Sequence, residues 1–212
     1  MKKNIIFFCP HDDDLTIGGL GFTLKLIEEG KAVVQVVFSK GAMSHPHFKE
    51  EIIKEIRERE TDKVAKKIGL KELIYFDLKD MNLKKEIEEN DIKFKIRGII
   101  ESNKPEKIIT VSNSETHPDH RAVNEAVLSV VDSLKKKYPV YTFSVWTRPR
   151  LAQAPIIYVD ISKYFWKKIK ILRQHKSQWL SIYLQLIPIV LRARYYGMKN
   201  NCKYAEKFEK AR

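Results

Sequence analysis

Residues 32–38 read Ala-Val-Val-Gln-Val-Val-Phe, an apolar and largely β-branched run with one polar interruption. A half-wet strand would alternate apolar and polar residues. A near-continuous run fits a strand covered on both faces, which is the condition of a parallel sheet under its crossover helices. The remainder of the chain agrees. Residues 4–9 read as a first strand. Residues 17–29 read as a helix, with Gly30 just past its end, where glycine is favoured. After the run at 32–38 come a loop at 39–47 and a long charged helix at 48–68 stopped by Gly69. A short strand at 73–76, a helix at 91–103, a strand at 107–111 and a helix at 119–136 follow. Residues 140–145 and 156–159 read as strands, and helices at 162–175, 178–194 and 202–211 complete the chain. Strands alternating with helices mean βαβ units with right-handed crossovers. The expected architecture is α/β: a single domain over 1–212, three-layered α/β/α and Rossmann-like, with a mainly parallel sheet and a helical C-terminal part.

At 212 residues, with 43% hydrophobic composition, the chain can bury one substantial core and is not disordered. Its two cysteines, Cys9 and Cys202, suggest neither a disulfide framework nor a cysteine-based metal site. A reducing, cytoplasmic setting is expected. The apolar run after Met1-Lys2-Lys3-Asn4 is too short for an export signal and is broken by Pro10, His11 and three aspartates. No stretch reaches the roughly 20 apolar residues of a membrane span. Forty Lys and Arg against 27 Asp and Glu give a net charge of +13. The balance permits nucleic acid, anionic lipid or an anionic substrate as partner. The basic residues lack the arginine-rich or aromatic-interleaved pattern of nucleic-acid modules, so nucleic acid is not expected.

Two short segments carry the chemistry. Pro10-His11-Asp12-Asp13-Asp14 ends the first strand, and Thr116-His117-Pro118-Asp119-His120 follows the fourth. In an α/β sheet, binding sites are built at the carboxyl ends of strands. Two imidazoles and a carboxylate brought together there make a three-ligand site for a divalent cation with a position left for water. Three adjacent aspartates repel one another and are costly to bury, and a cation relieves both problems. Taken alone, the run could instead cap the following helix or hold a metal–diphosphate in a glycosyltransferase. A basic surface-binding module without catalysis is a further alternative. The second segment favours a metal site for hydrolysis: two histidines lie within four residues, with Pro118 suited to a first helical turn and Asp119 able to orient an imidazole.

Together these segments resemble those of the zinc-dependent N-deacetylases of the PIG-L/LmbE type. That family carries a His-Pro-Asp-Asp-Glu-like motif after its first strand and His-Pro-Asp-His after a later one. Further matches are Gly18-Gly19, Arg57-Glu58-Arg59-Glu60, His175-Lys176-Ser177-Gln178, Gly197, and Tyr204-Ala205-Glu206-Lys207-Phe208. The resemblance implies zinc, or another divalent metal, held by His11, Asp14 and His120. It implies Asp13 as general base, His117 as oxyanion stabiliser or acid, and Asp119 orienting His117. Arg57 and His175 would contact the substrate. The implied reaction is removal of an N-acetyl group from an N-acetylglucosaminyl or related amino-sugar substrate, either a small molecule or lipid-linked. The chain departs from the family pattern twice. Asp12 stands where proline is usual and could compete with Asp14 for the metal. Leu15 stands where glutamate is usual, removing a carboxylate near the metal.

Other residues stay open. His45 and His47 flank Pro46 in a loop, and Arg148 and Arg150 flank Pro149; each pair reads as solvated surface or as the rim of a site. Residues 179–191 are apolar on nearly all sides, with basic flanks. They read as a buried helix, as an interface of a homo-oligomer, or as a segment making peripheral contact with an anionic membrane.

Overall fold

The computed structural model describes residues 4–41, 49–146 and 154–212. His45, His47, Arg148 and Arg150 lie outside the described residues. One seven-stranded sheet forms the middle layer, in the order β3-β2-β1-β4-β5-β7-β6. Strands β1 (Asn4–His11), β2 (Ala32–Ser39), β3 (Glu72–Tyr75), β4 (Lys107–Val111) and β5 (Val140–Phe143) are parallel. The edge adds β6 (Ile156–Asp160) and β7 (Ala205–Lys210), with β7 antiparallel to both of its neighbours. The fold is thus α/β with a mostly parallel mixed sheet.

The central strand shows why its sequence reads as it does. Ile6 and Phe8 of β1 pack on one face of the sheet, with Val34, Val36 and Ile108. Ile5, Phe7 and Cys9 pack on the other, with Val33, Ile109 and Phe143. Both faces are covered, so neither parity of the strand can be polar. Helices α4 (Leu83–Glu89), α5 (Ile92–Asn103) and α6 (Pro118–Ser133) contribute to the first face. On the second lie α1 (Asp14–Gly18), α2 (Leu20–Glu28), α7 (Phe165–Leu172) and α8 (Trp179–Lys199). The long helix α3 (Glu50–Ile68) packs through Val64 and Ile68 against Leu20, Leu24 and Ile171. Gly69 ends it in the left-handed conformation, at φ 83°, which glycine adopts without steric cost.

Three expectations are corrected. The helix expected at 17–29 begins earlier, at Asp14, and is interrupted at Gly19. Its backbone passes so close to β5 that a Cβ on Gly18 would lie 2.2 Å from Phe143 Cδ2. The segment expected as a helix at 202–211 holds strand β7, so the C-terminal part is not wholly helical. Pairing of Ile156 to Asp160 with Glu209 to Ala205, and burial of Phe208 against Phe22 and Phe143, outweigh its local helical pattern. Helix α4, within a stretch left without an element, covers the core through Leu83 and Ile87.

The order of strands fixes the site. From β1 the chain moves outward through β2 and β3, then returns to place β4 on the opposite side of β1. The carboxyl ends of β1 and β4 therefore flank the point where strand order reverses, the place where open α/β sheets bind ligands. The two motifs are the continuations of these two strands.

Candidate metal centre

His11 is the last residue of β1, and Asp14 opens α1 one turn later. The backbone N–H of His11 donates to Asp14 Oδ2 at 2.8 Å, folding the carboxylate back over the strand end. His120 comes from the first turn of α6, on which Pro118 is the first residue. Proline suits that position because the helix does not need its missing N–H there. His11, Asp14 and His120 are all buried, and one ligand atom from each lies within 4.8 Å of the others. His11 Nδ1 is 3.6 Å from Asp14 Oδ2, and His120 Nε2 is 3.5 Å from Asp14 Oδ1.

His120 has no exposed surface, and neither ring nitrogen finds a hydrogen-bond partner among the described residues. A buried polar atom without a partner costs about 1–3 kcal/mol. Its Nδ1 faces Glu115 Oε2 at 3.8 Å, leaving Nε2 turned toward Asp14. Burial pushes this imidazole down to about 4, so it is a neutral lone-pair donor. Asp14 is the opposite case. Burial alone would raise it, but His120 and His11 hold it below the usual carboxylate range. His11 Nε2 lies 3.0 Å from Asp80 Oδ1 and 3.4 Å from Asp119 Oδ2. Burial works against a charge on His11, yet Asp119, Asp14 and Asp80 together hold it well above its ordinary value. Three carboxylates around one imidazole form a field that a cation satisfies. The donor set, two imidazoles and a carboxylate, suits zinc.

The three aspartates of the first motif separate into different environments. Asp12 is fully buried and does not point at the imidazoles. It forms an ion pair with Arg57, whose Nε lies 3.2 Å from both carboxylate oxygens. Thr61 Oγ1 and Gln178 Nε2 also donate to it, each at 3.2 Å. Asp12 is therefore not a competitor of Asp14. Asp13 lies between the two, 3.8 Å from Arg57 Nη2. Burial pushes it up to about 7 against the pull of Arg57, with Asp14 and Asp12 adding repulsion.

His117 is half-buried at the N-cap of α6, with its ring 5.0 Å from that of His11 and 5.1 Å from that of His120. Its Nδ1 accepts the backbone N–H of Asp119 at 3.2 Å, so the proton of the neutral ring sits on Nε2. Burial, then repulsion from His11, lowers its pKa. A carboxylate oxygen of Asp119 lies within 4.8 Å of a ring nitrogen of both His117 and His11. The carboxylate also accepts the N–H groups of Met81 and Leu83 at 2.8 and 3.2 Å.

Arg57 and His175 are both buried. The Arg57 side chain is 4% exposed, with Nη1 on the carbonyl of Gly41 at 2.6 Å in addition to its contacts with Asp12. His175 is buried, its Nε2 3.2 Å from Thr16 Oγ1 at the start of α1. In this geometry both residues brace the loop that carries the ligands. Two participants went unnoticed in the sequence, Asp80 and Glu115, and Gln178 was noted only as part of a family-like segment. Asp80 follows β3, and Glu115 precedes His117 by two residues; a carboxylate just past a strand end was the available signal. Glu115 is locked by the N–H groups of Val145 and Trp146 at 2.7 and 3.2 Å.

Comparison with known proteins places the chain in a family. The family model described as PIG-L, GlcNAc-PI de-N-acetylase, matches residues 6–131. A probable N-acetyl-alpha-D-glucosaminyl L-malate deacetylase 2 of Bacillus cereus is 30% identical over 190 residues, 84% of each chain. A diacetylchitobiose deacetylase of Thermococcus kodakarensis is 26% identical, covering 96% of this chain and 81% of its own. Among solved structures, the N,N'-diacetylchitobiose deacetylase from Pyrococcus horikoshii superposes with a TM-score of 0.85 at 22% identity. That match covers 98% of this chain and 83% of the other, and it shows a shared fold.

Proposed function

The chain belongs to the PIG-L family of de-N-acetylases, and we propose that it hydrolyses the N-acetyl group of an N-acetylglucosaminyl substrate, giving acetate and a free amine. One observation carries the metal dependence: a fully buried His120, its nitrogens unpartnered among the described residues, faces Asp14 beside His11. His11 through Nδ1, Asp14, and His120 through Nε2 would hold zinc. Bound there, zinc supplies a Lewis acid that polarises an amide carbonyl and acidifies water.

The remaining roles fall to the chain's own side chains. Asp12 is engaged by Arg57, and Asp14 is turned to the imidazoles, so Asp13 is the carboxylate left to take the proton of the attacking water. The water oxygen adds to the carbonyl carbon. His117 presents an Nε2–H to the charge that develops on the carbonyl oxygen. When the C–N bond breaks, the proton collected by Asp13 passes to the departing nitrogen, leaving acetate and amine. Glu115 and Asp119 position His120 and His11, respectively. The relatives are named a probable N-acetyl-alpha-D-glucosaminyl L-malate deacetylase and a diacetylchitobiose deacetylase, so a soluble amino-sugar conjugate is the first substrate class to try, and a lipid-linked amino sugar the second. The glycosyltransferase reading needs Asp12 and Asp14 on one metal; Asp12 is held by Arg57, Thr61 and Gln178 instead.

The test is acetate release from a panel of N-acetylglucosaminyl compounds by the zinc-loaded protein, beside Asp13→Asn. Loss of a general base costs about 10²–10⁴ in rate, with metal content unchanged. A wild type that binds no metal, or an Asp13→Asn protein as active as wild type, refutes the proposal.

A further inference from the structure

Helix α8 is not buried on all sides. Ile182, Gln185, Ile189, Ala193 and Tyr196 face the protein. Trp179, Leu180, Tyr183, Leu184, Ile187 and Leu191 are all more than half exposed, Leu184 and Ile187 at 70%. These positions fall on adjacent i, i+4 rows, so they form one stripe. It runs about 20 Å along the helix, at 1.5 Å per residue. No charged residue interrupts it between Ser177 and Leu191. A contiguous exposed apolar patch of this kind marks an interaction surface.

The surrounding charge selects the partner. Residues 161–205 contain ten Lys or Arg and no Asp or Glu. Lys168 is neutralised by Glu206 at 2.7 Å and Lys163 by Glu28 at 2.6 Å, both acids lying outside the segment. Lys167, Lys170, Arg173 and Lys176 lead into the stripe, and Arg194 and Lys199 follow it; all six are exposed, none has an ion pair among the described residues, and Arg194 donates to the carbonyl of Lys203. A second copy meeting this face about a two-fold axis would set the same patch against itself, cation against cation, because the acids at its margin, Glu28, Glu60 and Glu206, are engaged by Lys163, Ser177 and Lys168. An anionic lipid surface meets both requirements, taking the apolar stripe into its headgroup–acyl boundary and the cations onto its phosphates. Trp179 and Tyr183 are of the types that favour that boundary. Among the described residues no helix is long and apolar enough to cross a membrane, so α8 would lie on the surface.

We propose that the exposed face of α8, with its basic flanks, docks this protein on an anionic bilayer. The stripe begins one residue after Gln178, whose amide donates to Asp12 in the ligand loop. Docking therefore holds the metal centre close to the lipid surface. The inference stands apart from the reaction, because binding is read without turnover.

The experiment is flotation of the full chain with phosphatidylcholine vesicles and with the same vesicles doped with phosphatidylglycerol. The protein should float only with the anionic vesicles and come off as salt is raised. Leu184→Glu with Ile187→Glu should reduce partitioning at least tenfold while far-ultraviolet circular dichroism and melting stay unchanged. Lys167→Gln and Lys170→Gln should each lower it about fivefold. Equal binding to neutral vesicles, absence from both, or indifference to the glutamates overturns the proposal. So does a concentration-dependent dimer that the same glutamates abolish, which would make a second copy the occupant.

Discussion

Replacing Asp12 by alanine isolates what the buried ion pair does. The Arg57 side chain is 4% exposed and that of Asp12 is fully buried. Removing the carboxylate leaves the buried guanidinium with only the Gly41 carbonyl and Asp13, at 3.8 Å, among the contacts described above. Breaking one partner of a buried pair costs about 3–5 kcal/mol. Thr61 and Gln178 lose their acceptor as well, at about 0.5–1.5 kcal/mol each. Against a total stability of about 5–15 kcal/mol for a domain, Asp12→Ala should leave little margin. The double variant Asp12→Leu with Arg57→Met separates the charge from the hole. It fills the volume and leaves no buried cation; Thr61 and Gln178 still lose their acceptor and the Gly41 carbonyl its donor. It should therefore sit about 1–3 kcal/mol below wild type, well above the single variant.

The assay is urea unfolding of metal-stripped protein, so that ligation does not enter the free energy. Glu60 offers a check on specificity. It accepts the N–H and hydroxyl of Ser177, just before the start of α8. Its loss should cost about 1 kcal/mol, well below that of Asp12→Ala. A single Asp12→Ala variant within about 1 kcal/mol of wild type would show that Asp13 and the Gly41 carbonyl compensate the guanidinium fully, refuting Asp12 as its essential counter-charge. A double variant as unstable as the single would place the cost in packing rather than in charge.

Further outcomes follow from the same geometry. Glu115→Gln preserves shape but weakens the partner of His120 Nδ1; zinc affinity by calorimetric titration should fall about 10–100-fold, and an unchanged affinity would remove Glu115 from the centre. Chelation should lower stability by about 2.7 kcal/mol if the metal was present at a hundred times its Kd, and His120→Ala should abolish that dependence in thermal melts. Gly18→Ala drives a carbon to 2.2 Å from Phe143 Cδ2 and should cost at least about 1–3 kcal/mol. Gly98→Ala, on α5 with nothing within 4 Å of the added carbon, should instead be neutral or gain up to about 1 kcal/mol.

The parallel strands and the two ligand motifs are legible in the sequence for one physical reason. A strand buried on both faces writes itself as an unbroken apolar run, and residues just past its carboxyl end inherit its position. β1 and β4 obey this, so the two motifs fall at neighbouring strand ends, while the choice of His11, Asp14 and His120 within them rested on the family resemblance. What was not legible depends on contacts distant in sequence. Strand β7 is specified by its pairing with β6 and β5 and by Phe208 finding Phe22 and Phe143. Asp80 joins His11 across 69 positions, and Gln178 reaches Asp12 across 166. Local periodicity carries no trace of such partners. Further partners of Asp119 were hidden for a related reason: adjacency pointed to His117, and nothing local announces that its carboxylate also accepts from Met81 and Leu83.

Asp12 shows how a departure from a family pattern can be resolved by geometry. Against the family's usual proline, aspartate adds a negative charge beside Asp13 and Asp14 and frees a φ angle that proline would fix. An unpaired carboxylate there would strengthen repulsion in the run and rival Asp14 for a cation. The chain meets both problems at one place, because Arg57 on α3 neutralises the added charge and turns it away from the imidazoles. Thr61 and Gln178 complete the carboxylate from α3 and the start of α8. The ligand loop is thereby tied to two helices by polar contacts in place of a rigid ring. If that is what fixes Asp14, Asp12→Pro should preserve metal affinity only when Arg57 is replaced at the same time, for example by Met. Zinc titration of Asp12→Pro, with and without Arg57→Met, measures this coupling, and equal affinities in the two would refute it.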